Sequence, residues 1–124
     1  MEKDKDKVLE NISVLLVEDE PLVAVGVADQ LTRAGATVVG PCSTTGGALA
    51  ELDRRRIDVA IIDYVLADDN SEGLQAALEA KGIPFIVVTG YPRVLVRRDQ
   101  RQRVLSKPVA PEVLASTLKS LSGA

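Results

Sequence analysis

The sequence predicts an α/β protein in which five parallel strands form one sheet covered by helices on both faces. Two observations support this prediction. Five short apolar runs alternate with segments whose apolar residues recur every three or four positions, which gives five β–α pairs. Polar residues able to take part in chemistry directly follow four of these runs, as expected where ligands bind at the carboxyl edge of an open parallel sheet.

Length and composition limit the class of protein. The 124 residues suggest a single domain, and 46% are hydrophobic, which is enough for a core. Only 2% are aromatic, so Val, Leu, Ile and Ala must fill that core. The absence of histidine excludes Ser-His-Asp and Cys-His enzymes. The net charge of −3 argues against nucleic acid as the main partner, so no direct DNA binding is expected.

The chain begins with a charged segment. Residues 1–11 alternate Lys with Asp or Glu and are predicted to form a flexible tail, followed by one domain over residues 12–121. No room for an effector domain is expected. No apolar run approaches the roughly 20 residues of a membrane helix, and no signal peptide is visible. The single Cys42 is interpreted as a small buried hydrophobe and fits a cytoplasmic location.

The first half of the domain is predicted to contain two strands and two helices. Residues 12–17 and 36–39 are the strands. Asp19-Glu20-Pro21 starts the first helix, with proline near its first position, and Thr44 or Thr45 can cap the second. The apolar positions of these two helices are predicted to meet the core, and they are Val23, Val27, Leu31, Ala48, Leu49 and Leu52.

The second half is predicted to contain three strands and three helices. The strands are residues 58–63, 85–89 and 103–106. Residues 92–103 are assigned a short or frayed helix, because three apolar residues there are followed by several arginines. The last helix opens at Pro111. Besides the helix in residues 92–103, this half is predicted to contain one helix between its first two strands and one after its last strand. Their core-facing positions are Leu74, Ala77, Leu78, Leu114, Leu118 and Leu121.

Carboxylates follow two of the predicted strands. Glu18 and Asp19 come after the first strand, and Asp63 comes at the end of the third. Each could simply cap a helix or start a turn, but their joint placement at one edge is hard to explain in that way. Three carboxylates held close together repel each other unless one is protonated or a cation binds them. Oxygen ligands without Cys or His favour a hard ion, so we expect a Mg²⁺ site.

Asp63 is also the candidate nucleophile, because a carboxylate that attacks a phosphoryl donor forms an acyl phosphate. Such a reaction needs the phosphoryl charge to be neutralised by Mg²⁺ and by fixed donors. Thr89 can donate a hydrogen bond from its hydroxyl, and Lys107 can supply a positive charge. Taken alone, Thr89 would be an ordinary strand residue and Lys107 a surface lysine. Their shared position after two strands favours the functional interpretation.

Four segments together resemble the receiver domain (CheY-like) of two-component response regulators. They are residues 15–21 (LLVEDEP), 61–63 (IID), 87–91 (VVTGY) and 106–108 (SKP), and the resemblance extends over residues 12–121. Each segment alone is weak, but the combination is specific. Pro84-Phe85 followed by Thr89-Gly90-Tyr91 is also similar to the stand-alone Phe-Ala-Thr-Gly-Tyr type of receiver.

The resemblance implies a flavodoxin-like, doubly wound (βα)5 fold with strand order 2-1-3-4-5. It implies that Asp63 is the phosphoacceptor and that Glu18, Asp19, Asp63 and the backbone carbonyl of Val65 bind Mg²⁺. By the same resemblance, Thr89 and Lys107 assist the transfer, and the Lys107–Pro108 bond is often cis. The implied partners are a sensor histidine kinase or a histidine phosphotransfer protein, with a downstream protein partner possible. The implied role is signalling or storage of phosphate rather than enzymatic turnover.

The chain departs from the family pattern between Thr89 and Lys107. Val104 stands where receivers commonly carry a switching Tyr or Phe, and Tyr91 is the only aromatic residue nearby. The stretch is short, which predicts an abbreviated helix. Its arginines are interpreted as a solvated face or as a docking surface for an acidic partner, and they are Arg93, Arg97, Arg98, Arg101 and Arg103.

Other functions remain open at this point. A degenerate receiver could act only as a protein-binding module. A Mg²⁺-dependent phosphatase could use Asp63 for turnover, but such haloacid-dehalogenase-like enzymes carry a second Asp two residues later, where this chain has Val65. The chain could also be a fragment of a longer regulator.

Overall fold

The computed structural model describes residues 7–66, 68, 70–90 and 102–123. Five strands and four helices are present in this part of the chain. The strands are β1 (Ser13–Val17), β2 (Thr37–Cys42), β3 (Val59–Asp63), β4 (Phe85–Thr89) and β5 (Gln102–Ser106). The helices are α1 (Pro21–Arg33), α2 (Thr45–Arg54), α3 (Glu72–Lys81) and α4 (Pro111–Ser122).

The strands form one parallel sheet in the order β2-β1-β3-β4-β5. This confirms the predicted fold class and strand order. The register aligns Val17 with Ile62, Asp63 with Val88, and Thr89 with Ser106. The central strands therefore end close together, and the residues that follow them meet at one edge.

The core consists of two layers separated by the sheet. Successive side chains of a strand point to opposite faces, so Leu15 and Val17 pack with α2 and α3 while Val14 and Leu16 pack with α1 and α4. Because both faces are covered, the central strands are apolar along nearly their whole length. Phe85, the chain's only phenylalanine, is fully buried in the layer that packs with α2 and α3.

The helices confirm most of the predicted apolar faces, with two corrections. Val23 and Leu49 were expected in the core but are exposed, whereas Ala24 of α1 is buried. A spacing of three or four residues indicates that a helix has an apolar stripe. It does not determine which residues at the edges of a wide stripe face the core. Thr44 caps α2 as expected, because its hydroxyl oxygen accepts a hydrogen bond from the Gly47 N–H at 3.0 Å.

The prediction of a flexible tail is wrong at Leu9, which is completely buried in the core layer that packs with α1 and α4. Its N–H donates to the Ala34 carbonyl at 2.8 Å, so this part of the chain is tied to the end of α1. Because charged residues surround Leu9, the sequence pattern did not indicate that this single apolar residue is buried. The earlier residues 1–6 lie outside the described part of the chain.

Strand β2 runs to Cys42, three residues beyond its predicted end at Val39. The pairing with β1 shifts register between Leu15 and Val17, and Gly40 takes a φ of 109° at this point. A Cβ atom on Gly40 would lie 2.7 Å from the Leu16 carbonyl oxygen, so only glycine fits. Beyond the irregularity the Cys42 carbonyl accepts the Glu18 N–H at 2.9 Å, which fixes the backbone of the first acidic residue.

Candidate functional site

Three carboxylates meet at the carboxyl edge of the sheet. Glu18 and Asp19 follow β1, Asp63 ends β3, and one oxygen from each lies within 4.8 Å of the others. Two of the three are almost inaccessible, with Glu18 6% and Asp63 5% exposed. The parallel pairing of Val17 with Ile62 produces this arrangement, because the next residue of each strand is an acid. The structure therefore brings together the carboxylates predicted from the sequence.

The environment of Asp63 favours its protonated form when no cation is present. Burial raises its pKa first, followed by a hydrogen bond with the Glu18 side chain and the negative charge of Glu18. Lys107 acts in the opposite direction but does not cancel these effects, and the pKa of Asp63 rises to about 8. A buried group of oxygen ligands with excess negative charge fits a small, hard divalent cation, since such a cation removes the repulsion.

Lys107 faces the same cluster. Its ammonium nitrogen lies 3.3 Å from Asp63 Oδ1 and 3.9 Å from a carboxylate oxygen of both Glu18 and Glu20. Burial lowers the pKa of Lys107, but the charges of Asp63, Glu18 and Glu20 outweigh that effect and raise it. Lys107 therefore remains a cation beside Asp63. Its bond to Pro108 is cis, as the family resemblance implied.

Thr89 is the last residue of β4 and is buried. It lies one position beyond Val88, which pairs with Asp63, and its carbonyl accepts the Lys107 N–H at 2.9 Å. Thr89 and Lys107 are thus held side by side through the pairing of β4 with β5. Val65 lies two residues after Asp63 at the start of the next loop, where it forms an isolated bridge with Asn70. Its role as a metal ligand stays a prediction.

A cavity of about 440 Å³ adjoins the cluster. Glu18, Asp63 and Lys107 line one part of it, and apolar residues of the strands, α1 and α4 line much of the rest, including Val27 and Leu114. The charged groups therefore border an open space.

Two residues of this region were missed by the sequence reasoning. Glu20 lies beside Lys107, and its position in the run Glu18-Asp19-Glu20 could have indicated this. Asp68 contacts the first turn of α2 through Thr45. No spacing rule reveals that contact, because it joins a loop residue to the start of a helix 23 positions away.

The prediction for residues 92–103 falls mainly outside the described part of the chain, together with Tyr91 and four of the five arginines. Arg103 is described and pairs with Ile86 near the amino end of the β4–β5 register. It also lines a groove with Ile57, Lys81 and Pro84, near the amino ends of β3 and β4. Arg103 therefore lies away from the carboxyl edge that holds Asp63.

Comparison with known proteins agrees with this geometry. Residues 14–119 match the profile of the response regulator receiver domain. The solution structure of SdrG from Sphingomonas melonis Fr1 is 36% identical, with a TM-score of 0.76, and the match covers 92% of this chain and 97% of that one.

Two curated relatives are longer than this chain. An uncharacterized response regulatory protein of Vibrio vulnificus is 27% identical over 117 residues, covering 91% of this chain and 48% of the relative. The phyllosphere-induced regulator PhyR of Methylorubrum extorquens is 28% identical over 111 residues, covering 85% of this chain and 41% of the relative. The chain thus spans less than half of each. Among the described helices, none is long and apolar enough to cross a membrane.

Proposed function

Because this chain belongs to the response regulator receiver domain family, we propose that it accepts a phosphoryl group on Asp63 in a Mg²⁺-dependent reaction. The observation that carries the proposal is the position of Asp63, a buried carboxylate with two further acids on one side and a lysine ammonium 3.3 Å away. A nucleophilic carboxylate needs both features, because the incoming phosphoryl group is itself negatively charged.

In the proposed reaction an oxygen of Asp63 attacks the phosphorus of a phosphohistidine. An O–P bond forms, the N–P bond breaks, and the imidazole leaves with the bonding electron pair and takes up a proton. Glu18, Asp19, Asp63 and the Val65 carbonyl would hold Mg²⁺, which neutralises charge on the phosphoryl oxygens.

Lys107 and Thr89 assist the transfer in this proposal. The ammonium of Lys107 exchanges part of its contact with Asp63 for a phosphoryl oxygen, so the new charge has a partner. Thr89 donates a hydrogen bond from its hydroxyl to a second phosphoryl oxygen. The hydrogen bond from the Lys107 N–H to the Thr89 carbonyl keeps these two residues side by side. Neither residue changes its covalent state in this proposal, because only Asp63 becomes bonded to phosphorus.

The proposed donors are a sensor histidine kinase or a histidine phosphotransfer protein in the cytoplasm. Phosphorylation changes the charge at one edge of the sheet and would alter binding of a downstream protein, or simply store phosphate. Membership of the receiver domain family supports a role in two-component phosphorelay signalling, and the class of both partners is part of the proposal.

A direct test uses a small phosphodonor such as acetyl phosphate, with intact-protein mass as the readout. The wild type should gain one phosphoryl group in Mg²⁺ and none in EDTA, and Asp63→Asn should gain none. Asp29→Asn is the matched control, because Asp29 is an exposed acid of α1 paired only with Arg33 among the contacts described. Full labelling of Asp63→Asn would assign the phosphoacceptor to another residue.

A further inference from the structure

Asp68, in the loop after Asp63, reaches across to the start of α2. Its carboxylate accepts the Thr45 N–H with 3.1 Å to each oxygen, and it accepts the Thr45 hydroxyl at 2.7 Å. The first turn of α2 already has an ordinary cap in Thr44, which binds the Gly47 N–H. Asp68 is therefore a second acceptor, supplied by a different part of the chain.

The chemistry of this contact favours a stable charge. A helix N-terminus carries partial positive charge on its free N–H groups, which attracts a carboxylate. The hydroxyl and N–H of Thr45 accordingly lower the pKa of Asp68, although the side chain is fully exposed. Because the donors belong to the first turn of α2, the contact fixes the position of Asp68 relative to that helix.

The base of the same loop is anchored to the sheet. The Tyr64 N–H donates to the Val88 carbonyl at 3.0 Å, and the Tyr64 carbonyl accepts both the N–H and the hydroxyl of Ser71 at 2.7 and 2.9 Å. Val65 lies between this base and Asp68, and it is bridged to Asn70. With the base and Asp68 both held, the backbone at Val65 has little freedom.

The start of α2 is also connected to the other acids of the site. Strand β2 ends at Cys42, three residues before Thr45, and the Cys42 carbonyl accepts the Glu18 N–H at 2.9 Å. The segment from Cys42 to Thr45 therefore contacts both loops from which the proposed metal ligands come. One loop carries Glu18 and Asp19, and the other carries Val65.

We propose that Asp68 is a positioning residue that, by binding Thr45, holds the loop of Val65 at the distance from Glu18 and Asp19 that Mg²⁺ binding requires. This inference rests on the proposed function, since it concerns the same metal site. Asp68 does not touch the metal in this proposal. It acts through the loop backbone, so its loss weakens Mg²⁺ binding by letting the loop move.

The test compares Asp68→Ala with Asp68→Asn, using Mg²⁺ titration by amide NMR without any phosphodonor. The amide oxygen of asparagine can still accept the Thr45 N–H, but its side chain has no charge. We expect Asp68→Ala to bind Mg²⁺ about tenfold more weakly and Asp68→Asn to stay within about threefold of the wild type. Asp53→Ala, which removes an exposed acid on α2, is the control and should bind normally.

Hydrogen exchange in metal-free protein supplies the second readout. The amides of residues 64–66 should exchange faster in Asp68→Ala than in the wild type, with Asp68→Asn close to the wild type, while the amides of β1 stay unchanged. A merely structural defect would raise exchange in both regions.

Three outcomes would overturn the inference. Equal weakening of Mg²⁺ binding by Ala and Asn would show that the charge of Asp68 matters rather than its contact. Normal binding by Asp68→Ala would remove the role altogether while leaving the proposed function intact. A wild type that binds no Mg²⁺ would overturn the proposed metal site and this inference with it.

Discussion

The Lys107 ammonium lies 3.3 Å from the Asp63 carboxylate but 3.9 Å from those of Glu18 and Glu20, so it sits nearest to the acid that ends β3. Glu20 is largely exposed, whereas Asp63 is buried. Screening by water weakens an exposed pair more than a buried one. Glu18 is as buried as Asp63 but lies farther from Lys107, so the contact with Asp63 is the one through which Lys107 most affects the chemistry of the site.

Replacing Lys107 should slow phosphorylation. Lys107→Met keeps an unbranched side chain of similar length but removes the charge, so the incoming phosphoryl group loses a fixed cation. We expect the initial rate with acetyl phosphate and saturating Mg²⁺ to fall roughly 10- to 100-fold. Lys81→Met is the control, because Lys81 pairs with Asp53 at the end of α3. An unchanged rate in Lys107→Met would remove Lys107 from the transfer step.

Binding of Mg²⁺ should depend on pH. The metal must displace the proton that Asp63 retains up to its pKa of about 8. Apparent affinity should therefore rise with pH, by up to about tenfold for each unit below that pKa, and level off above it. Titration calorimetry from pH 6 to 9 measures this. Glu18→Gln, which removes a negative charge beside Asp63, should move the rise to lower pH; constant affinity would contradict the assignment.

Without Mg²⁺, stability should fall as pH rises. The folded-state pKa of Asp63 is raised to about 8, while an unfolded aspartate titrates near 4, so between these values the folded protein holds a proton that the unfolded chain lacks. Asp63→Asn removes the ionisation. At pH 8 and in EDTA it should raise the free energy of unfolding by roughly 1–3 kcal/mol, with little difference at pH 4.

Urea unfolding of the wild type and Asp63→Asn at pH 4 and pH 8 measures this difference in the free energy of unfolding. Added Mg²⁺ should reverse the order at pH 8, because the metal stabilises the wild type through Asp63 and the asparagine variant much less. Equal stability of the two proteins at pH 8 in EDTA would mean that Asp63 is not under electrostatic strain.

Two glycines should respond to alanine in opposite ways. Gly40→Ala places a Cβ atom 2.7 Å from the Leu16 oxygen and 2.8 Å from the Cys42 nitrogen at a positive φ, and we expect a loss of about 1–3 kcal/mol or more. Gly26→Ala lies inside α1 with open space around it and should stabilise by about 0.5–1 kcal/mol. Thermal unfolding of both variants measures the contrast, and a neutral Gly40→Ala would contradict the described β1–β2 junction.

The sequence was most informative where one strong physical rule applied. Central parallel strands are buried on both faces, so β1, β3 and β4 were visible as apolar runs, each interrupted by a polar residue at its carboxyl end. The meeting of Glu18, Asp19 and Asp63 followed from strand direction alone. A contact between a loop and a helix start that is distant in the sequence follows no such rule, which is why the contact of Asp68 with Thr45 was not predicted.

The predictions that were wrong failed for similar physical reasons. Leu9 stands alone among charged residues, and a single apolar side chain produces no periodicity even when it is fully buried. Val23 and Leu49 fitted the helical spacing, but the rotation of a helix about its axis is set by its packing against the sheet. The end of β2 was misplaced because glycine and proline usually end a strand, whereas here Gly40 carries an irregularity within it.

The sheet also acts as a partition within the protein. Leu78 of α3 and Leu118 of α4 belong to different layers, with the backbone of the strands between them. Side chains separated in this way share few partners, so substitutions in the two layers should have nearly additive effects on stability. Sequence change can therefore accumulate beneath α1 and α4 without disturbing the packing of α2 and α3, which border the loop that follows Asp63.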